Sequence, residues 1–197
     1  MREIFLEETA EVIDKKSATI KYNIFKGLSY FFYALSGIYI FISLILMRQS
    51  TFAENVLINL LIIIVPFAIL FAVGVIFAFF KGNFYLEYDY TFVSGSFRVN
   101  RVVKGQTNKL IFYFDTEKIE KLGKYQSQEY FRIEAMHDVK RVFLTQNKTP
   151  AIGKNFYYIF VNKFNGRKYL LIIECGEKFI AEILPYVNFT ARDKEIR

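Results

Sequence analysis

The sequence predicts an α+β membrane protein. A two-helix transmembrane hairpin is followed by a small antiparallel β-barrel or curved sheet, capped by a C-terminal helix. Three observations predict it. Leu28–Met47 runs for 20 residues without a charge, and Asn55–Phe80 for 26 more. After Phe80 the apolar residues alternate with polar ones in short runs between turn residues. Near the C-terminus the period changes again, and Phe179, Ile180, Ile183 and Leu184 fall on one helical face.

Each apolar run, at ~1.5 Å rise per residue, is long enough to cross a hydrocarbon layer of about 30 Å. Seven residues, Arg48–Glu54, separate the runs. The expected organisation is an N-terminal cytoplasmic segment over 1–26 and a hairpin over 27–80, with spans at about 28–47 and 56–80. A β domain with its helix follows over 81–187, then a frayed charged tail over 188–197. The N-terminal segment reads as either an interfacial helix or a strand beside the domain; its periodicity does not choose. Lys15, Lys16, Lys21 and Lys26 precede the first span, while the connection between spans offers only Arg48. Basic residues gather on the cytoplasmic side of membranes. Both termini are therefore expected in the cytoplasm, with the protein in the cell membrane. The first run starts too late and is too long for a secretory signal, and lacks a small-residue cleavage site. Cys175 is the only cysteine, so no intrachain disulfide forms and nothing points to an oxidising compartment.

Within the first span Ser29, Ser36 and Ser43 recur every seven residues, with Gly37 beside them. In the second, Ala68 and Ala72 stand four apart. Small residues on facing stripes let helices approach closely, so these five are read as helix-packing positions. A polar solute path is the alternative, but neither span holds an Asp, Glu, Lys, Arg or His, which ion pathways usually need. Tyr39 and Asn59 read as interhelical or interfacial contacts. Pro66 is expected to kink the second helix, its neighbours absorbing the lost hydrogen bond.

From Phe84 a strand begins, with Phe84, Leu86, Tyr88 and Tyr90 facing one way and Glu87 and Asp89 the other. Ser94-Gly95-Ser96 turns it, and Phe97–Val103 returns as its hairpin partner. Lys104–Asn108 is a second turn. Further strands are expected at Lys109–Phe114, Glu117–Leu122, Lys140–Thr145, Phe156–Lys163 and Arg167–Glu174. The last two flank Asn165-Gly166, a strong hairpin signal. Gly123–Val139 is polar and mixed, a loop with one short helix. About seven strands in sequential hairpins, with helix Glu177–Tyr186 covering an open end, give the expected barrel or curved sheet.

Several of these residues carry a resemblance. Leu86-Glu87-Tyr88-Asp89-Tyr90, the turn at Gly95, Val99 on the returning strand and Phe112-Tyr113-Phe114-Asp115 resemble an uncharacterised bacterial membrane-protein family. Its members come mainly from Gram-positive, Clostridia-type bacteria. The resemblance implies two transmembrane helices followed by a pleckstrin-homology-like (PH-like) domain, and no activity or functional residue to carry over. Where members often have Ile-Asp in the second strand, this chain reads Val99-Asn100.

Chemistry is sparse. Cys175 ends an apolar strand and reads as a buried structural thiol. His137, the only histidine, reads as a surface loop residue, and one His with one Cys makes no zinc site. Glu87 and Asp89 read as the solvated side of a hairpin, and Gly95 and Gly105 as turn glycines rather than a phosphate loop. No catalytic, cofactor-binding or metal residue is predicted. The one candidate site is basic: Arg98, Arg101, Lys104 and Lys109. Residues 81–197 carry 20 Lys/Arg against 13 Asp/Glu, which accounts for the whole net charge of +7. These four residues could meet anionic lipid headgroups or a partner. Arg98 and Arg101 differ by an odd step and should face opposite ways on a regular strand. Two further basic pairs are Lys140-Arg141 and Arg167-Lys168. The expected partners are the lipid bilayer, anionic lipids and another membrane protein, with no nucleic acid. The expected function is a non-catalytic cytoplasmic module at the inner leaflet. A second reading is an accessory subunit of a transporter or envelope complex, with the Ser and Ala stripes as its partner surface. A remote third is an enzyme using Glu87, Asp89 and His137.

Overall fold

Two four-stranded sheets pair residues far apart in the chain, and two long helices interrupt the first of them. The structure, a computed structural model, describes residues 4–49, 56–104, 106–164 and 166–196. The chain divides into a helical unit, Asp14–Tyr85, and a sheet unit formed by the chain up to Ile13 and from Leu86 onward. The expected connection at Arg48–Glu54 lies largely outside the described residues.

In the helical unit, α1 spans Lys15–Gln49 and α2 Val56–Phe80, with a 3-10 turn at Lys81–Asn83. Both are long and apolar enough to cross a membrane. The first begins at Lys15, thirteen residues before the uncharged run, because the lysines before that run are good helix formers and only Gly27 interrupts them. Asp14 caps it, its Oδ1 accepting from the Ser17 N–H at 2.9 Å. The seam of α2 runs through Ile63, Phe67, Leu70, Gly74 and Phe77, steps of four and three that keep one side toward α1. Phe77 meets Phe25 and Phe32, with ring centroids at 5.7 and 5.5 Å. Gly74 is required there: a Cβ would stand 2.7 Å from the Tyr33 ring.

The sheet unit starts before the helices. Strand β1 (Phe5–Ala10) pairs antiparallel with β2 (Leu86–Val93), which pairs with β3 (Ser96–Val103), which pairs with β4 (Thr107–Asp115). The N-terminal segment is thus split between a strand of this unit and the start of α1. Alternation along β2 is regular: Leu86, Tyr88, Tyr90 and Phe92 are buried, and the residues between them are half-exposed. Gly95, at φ +101°, closes the β2–β3 turn.

The second sheet has the order β5-β7-β8-β6. Its strands are β5 (Ile119–Lys124), β6 (Val139–Phe143), β7 (Asn155–Phe164) and β8 (Arg167–Cys175). β6 lies parallel to β8, so the connections are not all hairpins. The eight described strands form two sheets rather than the expected single barrel or curved sheet of about seven strands. Helix α4 (Glu177–Ile183) continues into a 3-10 turn at Leu184–Tyr186 and buries Phe179, Ile180 and Ile183.

The second sheet is buried on both faces. Tyr157, Ile159, Val161, Leu171 and Ile173 join the main core with Tyr90, Phe92 and Phe97 of the first sheet. Tyr158, Phe160, Leu170 and Ile172 face the other way, under Tyr130 and Ile133 of α3 (Gln128–Glu134). Double burial explains why β7 and β8 read as unbroken apolar runs rather than alternating ones. The C-terminal segment is packed rather than frayed. Ala191 and Val187 lie in the core, and Arg192 bridges to Leu122 of β5.

Candidate functional site

The four basic residues picked from the sequence separate into one and three. Arg98 lies opposite Thr91 and Tyr113, on the outer face of the first sheet, its guanidinium 5.1 Å from the Tyr113 ring centroid. Arg101 lies opposite Tyr88 and Lys109, in register with the inward-facing set of β2. The odd step between the two arginines puts them on opposite faces. Burial raises the Tyr88 hydroxyl pKa above its ordinary value, and the Arg101 charge offsets part of that. Lys104 occupies the β3–β4 turn at φ +49°, a conformation usually left to Gly or Asn. Because Val103 pairs with Leu86, and Arg101 with both Tyr88 and Lys109, these three bases share one end of the sheet. Arg98 lies nearer the opposite, β2–β3 end. The other basic pairs lean on local acids: Lys168 on Asp138 at 3.6 Å, and Arg141 on Glu134.

The helix-packing positions also divide. Ser29 and Ser36 are buried on α1, and Ser36 Oγ donates to the Tyr33 carbonyl at 2.8 Å. Ser43 is half-buried, while Ala68 and Ala72 of α2 are exposed. Gly74 rather than the alanines is the buried small residue of α2 against α1, where an added Cβ would meet the Tyr33 ring and the Ser29 carbonyl.

Two buried carboxylates escaped the sequence reading. Glu174 is fully buried at the end of β8. It accepts from Asn147 Nδ2 at 2.8 Å and the Ala151 N–H at 2.7 Å, and also from Thr145 Oγ1. It thereby pins the loop between β6 and β7. Asp193 accepts from Ser127 Oγ at 2.7 Å and the Tyr158 hydroxyl at 3.1 Å, and its N–H donates to the Leu122 carbonyl at 2.8 Å. Ser127 also caps α3, so one residue ties the C-terminal segment to β5 through its N–H and to β7 and a helix start through its carboxylate. An acid at the end of an apolar run was the only signal for Glu174. For Asp193, inside Arg192-Asp193-Lys194-Glu195, there was none.

Reactive groups are held away from one another. Cys175 is buried, and that burial, with the nearby Glu8 carboxylate, pushes its thiol well above the usual range. His137 is exposed in the turn after α3. Glu87 and Asp89 lie on the outer face of β2, where Asp89 Oδ1 accepts from Thr9 Oγ1 at 2.7 Å. Among the described residues, no three His, Cys, Asp or Glu side chains gather as a metal site would need. One open cleft, lined by Leu6, Glu8, Gly176, Phe179 and Glu182, lies between β1 and α4. Glu8 there is held by the Gly176 N–H at 2.9 Å and by Lys154 at 3.3 Å.

A family model described as "Bacterial PH-like domain (DUF6106)" matches residues 7–190. No curated protein and no solved structure matches the chain.

Proposed function

The chain belongs to the bacterial PH-like domain family, and on that premise we propose a membrane-anchored, non-catalytic binding module. In this reading α1 and α2 cross the bilayer, and both termini stay in the cytoplasm. One observation carries it. A core helix of a soluble protein hides its apolar side chains, yet only 6% and 11% of the most apolar windows of α1 and α2 are buried. Ile38 is 55% exposed and Ile62 62%. Apolar surface this extensive needs an apolar surround. At 35 residues, α1 is ~52 Å long against a hydrocarbon core of about 30 Å, so its lysine-bearing first turns can stand outside.

The ligand we assign to the module is the anionic surface of the same leaflet. Four residues, Glu11–Asp14, join β1 to α1, and at ~3.5 Å each they reach at most about 14 Å. Ala10 pairs with Tyr88, so the chain leaves and re-enters the sheet at the end that carries Arg101, Lys104 and Lys109. Each base close to an anionic leaflet contributes about 1 kcal/mol. The β2–β3 turn at the far end carries no base.

The test uses the full chain reconstituted in nanodiscs of zwitterionic lipid, with and without anionic lipid. Anionic lipid should slow trypsin cleavage after Lys104 and Lys109 and leave cleavage after Arg167 unchanged. Equal rates in both lipids would remove the lipid assignment. The anchor is tested separately in intact cells with a membrane-impermeant maleimide. The fully exposed Ile152, as Ile152→Cys, should label only after permeabilisation. Labelling from outside overturns the orientation, and release of the chain by alkaline carbonate overturns the anchor. A second reading, an accessory subunit, is favoured by the exposure of Ala68 and Ala72. Crosslinking from Ala72→Cys to another membrane protein would support it.

A further inference from the structure

We propose that the Tyr39 hydroxyl is a clasp on a proline joint in α2, and that opening it lets the part of α2 before Pro66 swing away from α1. Pro66 has no N–H, so the carbonyl four residues earlier, that of Ile62, loses its helical donor. Tyr39 donates its hydroxyl to that same carbonyl at 2.8 Å. The polar group that the proline orphans is the one that the neighbouring helix satisfies.

The two parts of α2 are held to α1 by different means. After Pro66, Phe71 lies 5.3 Å from the Tyr33 ring, Phe77 meets two rings of α1, and Gly74 lets the backbones close in. Before it, Ile63 is the buried apolar side chain among those described. Leu57, Ile58, Leu61, Ile62 and Ile64 are all more than half exposed. That part carries no aromatic ring to meet α1: Ile63 is buried, Asn59 is half-buried, and the Tyr39 hydroxyl holds the Ile62 carbonyl. In apolar surroundings a carbonyl without a donor is costly, which keeps the clasp shut at rest. A straight helix with its own N–H at position 66 would anchor the chain as well. The Tyr39–Pro66 pair adds a place to bend.

Proline kinks exceed about 20°, and the ~15 Å of helix from Pro66 back to Val56 turns such a bend into a tip movement of about 5 Å. Spin labels on the full chain in nanodiscs read it directly. One pair, Ile45→Cys with Leu60→Cys, sits on exposed positions of the loop-side part. A second pair, Tyr30→Cys with Val75→Cys, reports the other part. Tyr39→Phe removes one hydroxyl and should broaden or lengthen the first distance by about 3 Å, since Leu60 lies ~9 Å along the helix from Pro66, and leave the second unchanged. With Pro66→Ala, residue 66 donates to Ile62 again, so adding Tyr39→Phe should have no effect. No change in Tyr39→Phe overturns the proposal. So does the same change with and without Pro66, or a change in both label pairs. The result is independent of the lipid contact and of orientation.

Discussion

Asp193 offers the sharpest stability test, because the reading of residues 188–197 as a charged tail and the packed structure disagree about it. Asp193→Ala leaves the Ser127 and Tyr158 hydroxyls without the carboxylate that accepts from both. Hydrogen bonds to a charged group are worth ~1.5 kcal/mol or more each, so the loss is about 3 kcal/mol. For a unit of this size that lowers the midpoint by roughly 10 °C. A side chain on a frayed tail would shift stability by no more than about 0.5 kcal/mol. Thermal unfolding of the detergent-solubilised chain, followed by near-ultraviolet circular dichroism, reads the sheet unit through its tyrosines, since the chain has no tryptophan. Lys194→Ala, an exposed neighbour, is the control and should leave the midpoint in place. If the two variants melt together, the packed C-terminus and the network around it are refuted.

Three further outcomes follow from the same contacts. Gly123→Ala should destabilise by about 2 kcal/mol, since its Cβ would stand 2.6 Å from Asp193 and 2.7 Å from the Tyr158 ring; combined with Asp193→Ala it should cost less than the sum, which a thermal double-mutant cycle checks. Glu174→Ala should speed hydrogen exchange across residues 145–151, where Asn147, Ala151 and Thr145 lose their acceptor, while exchange in β2 and β3 stays slow. Burial raises the hydroxyls of Tyr90, Tyr158 and Tyr88 above the ordinary value of 10.0, so the folded state holds those protons more tightly than the unfolded one. The stability this confers is intact below pH 10 and is lost as pH rises beyond it, so the midpoint should fall on the alkaline side together with cooperative tyrosinate absorbance; gradual titration without unfolding would contradict the burial.

Most of the second half was legible because its signals are local. Alternation drew β2, Asn165-Gly166 drew the β7–β8 hairpin, and a helical stripe drew α4. Strand β1 was legible only as one of two alternatives, because Phe5-Leu6-Glu7-Glu8 does not alternate and its partner lies beyond both helices. The parallel placement of β6 was hidden for a similar reason: nothing in Val139–Phe143 says which edge it joins. The bases were visible as residues, but their separation needed the register, since spacing in sequence does not say that Arg101 and Lys109 lie opposite each other. Tyr39 and Pro66 were each visible alone. Their link appeared only with the pairing of the helices, which puts one hydroxyl against one carbonyl.

The interruption of the first sheet has a consequence for how the molecule comes to exist. During synthesis β1 emerges first and has no mate until everything through Val93 has been made. Closing so long a loop is entropically slow, and the strand waits with its edge uncovered. A ribosome halted inside either helix therefore leaves β1 without its partner strand. The order of synthesis thus sets an order of folding: the first sheet closes only once both apolar helices have been made.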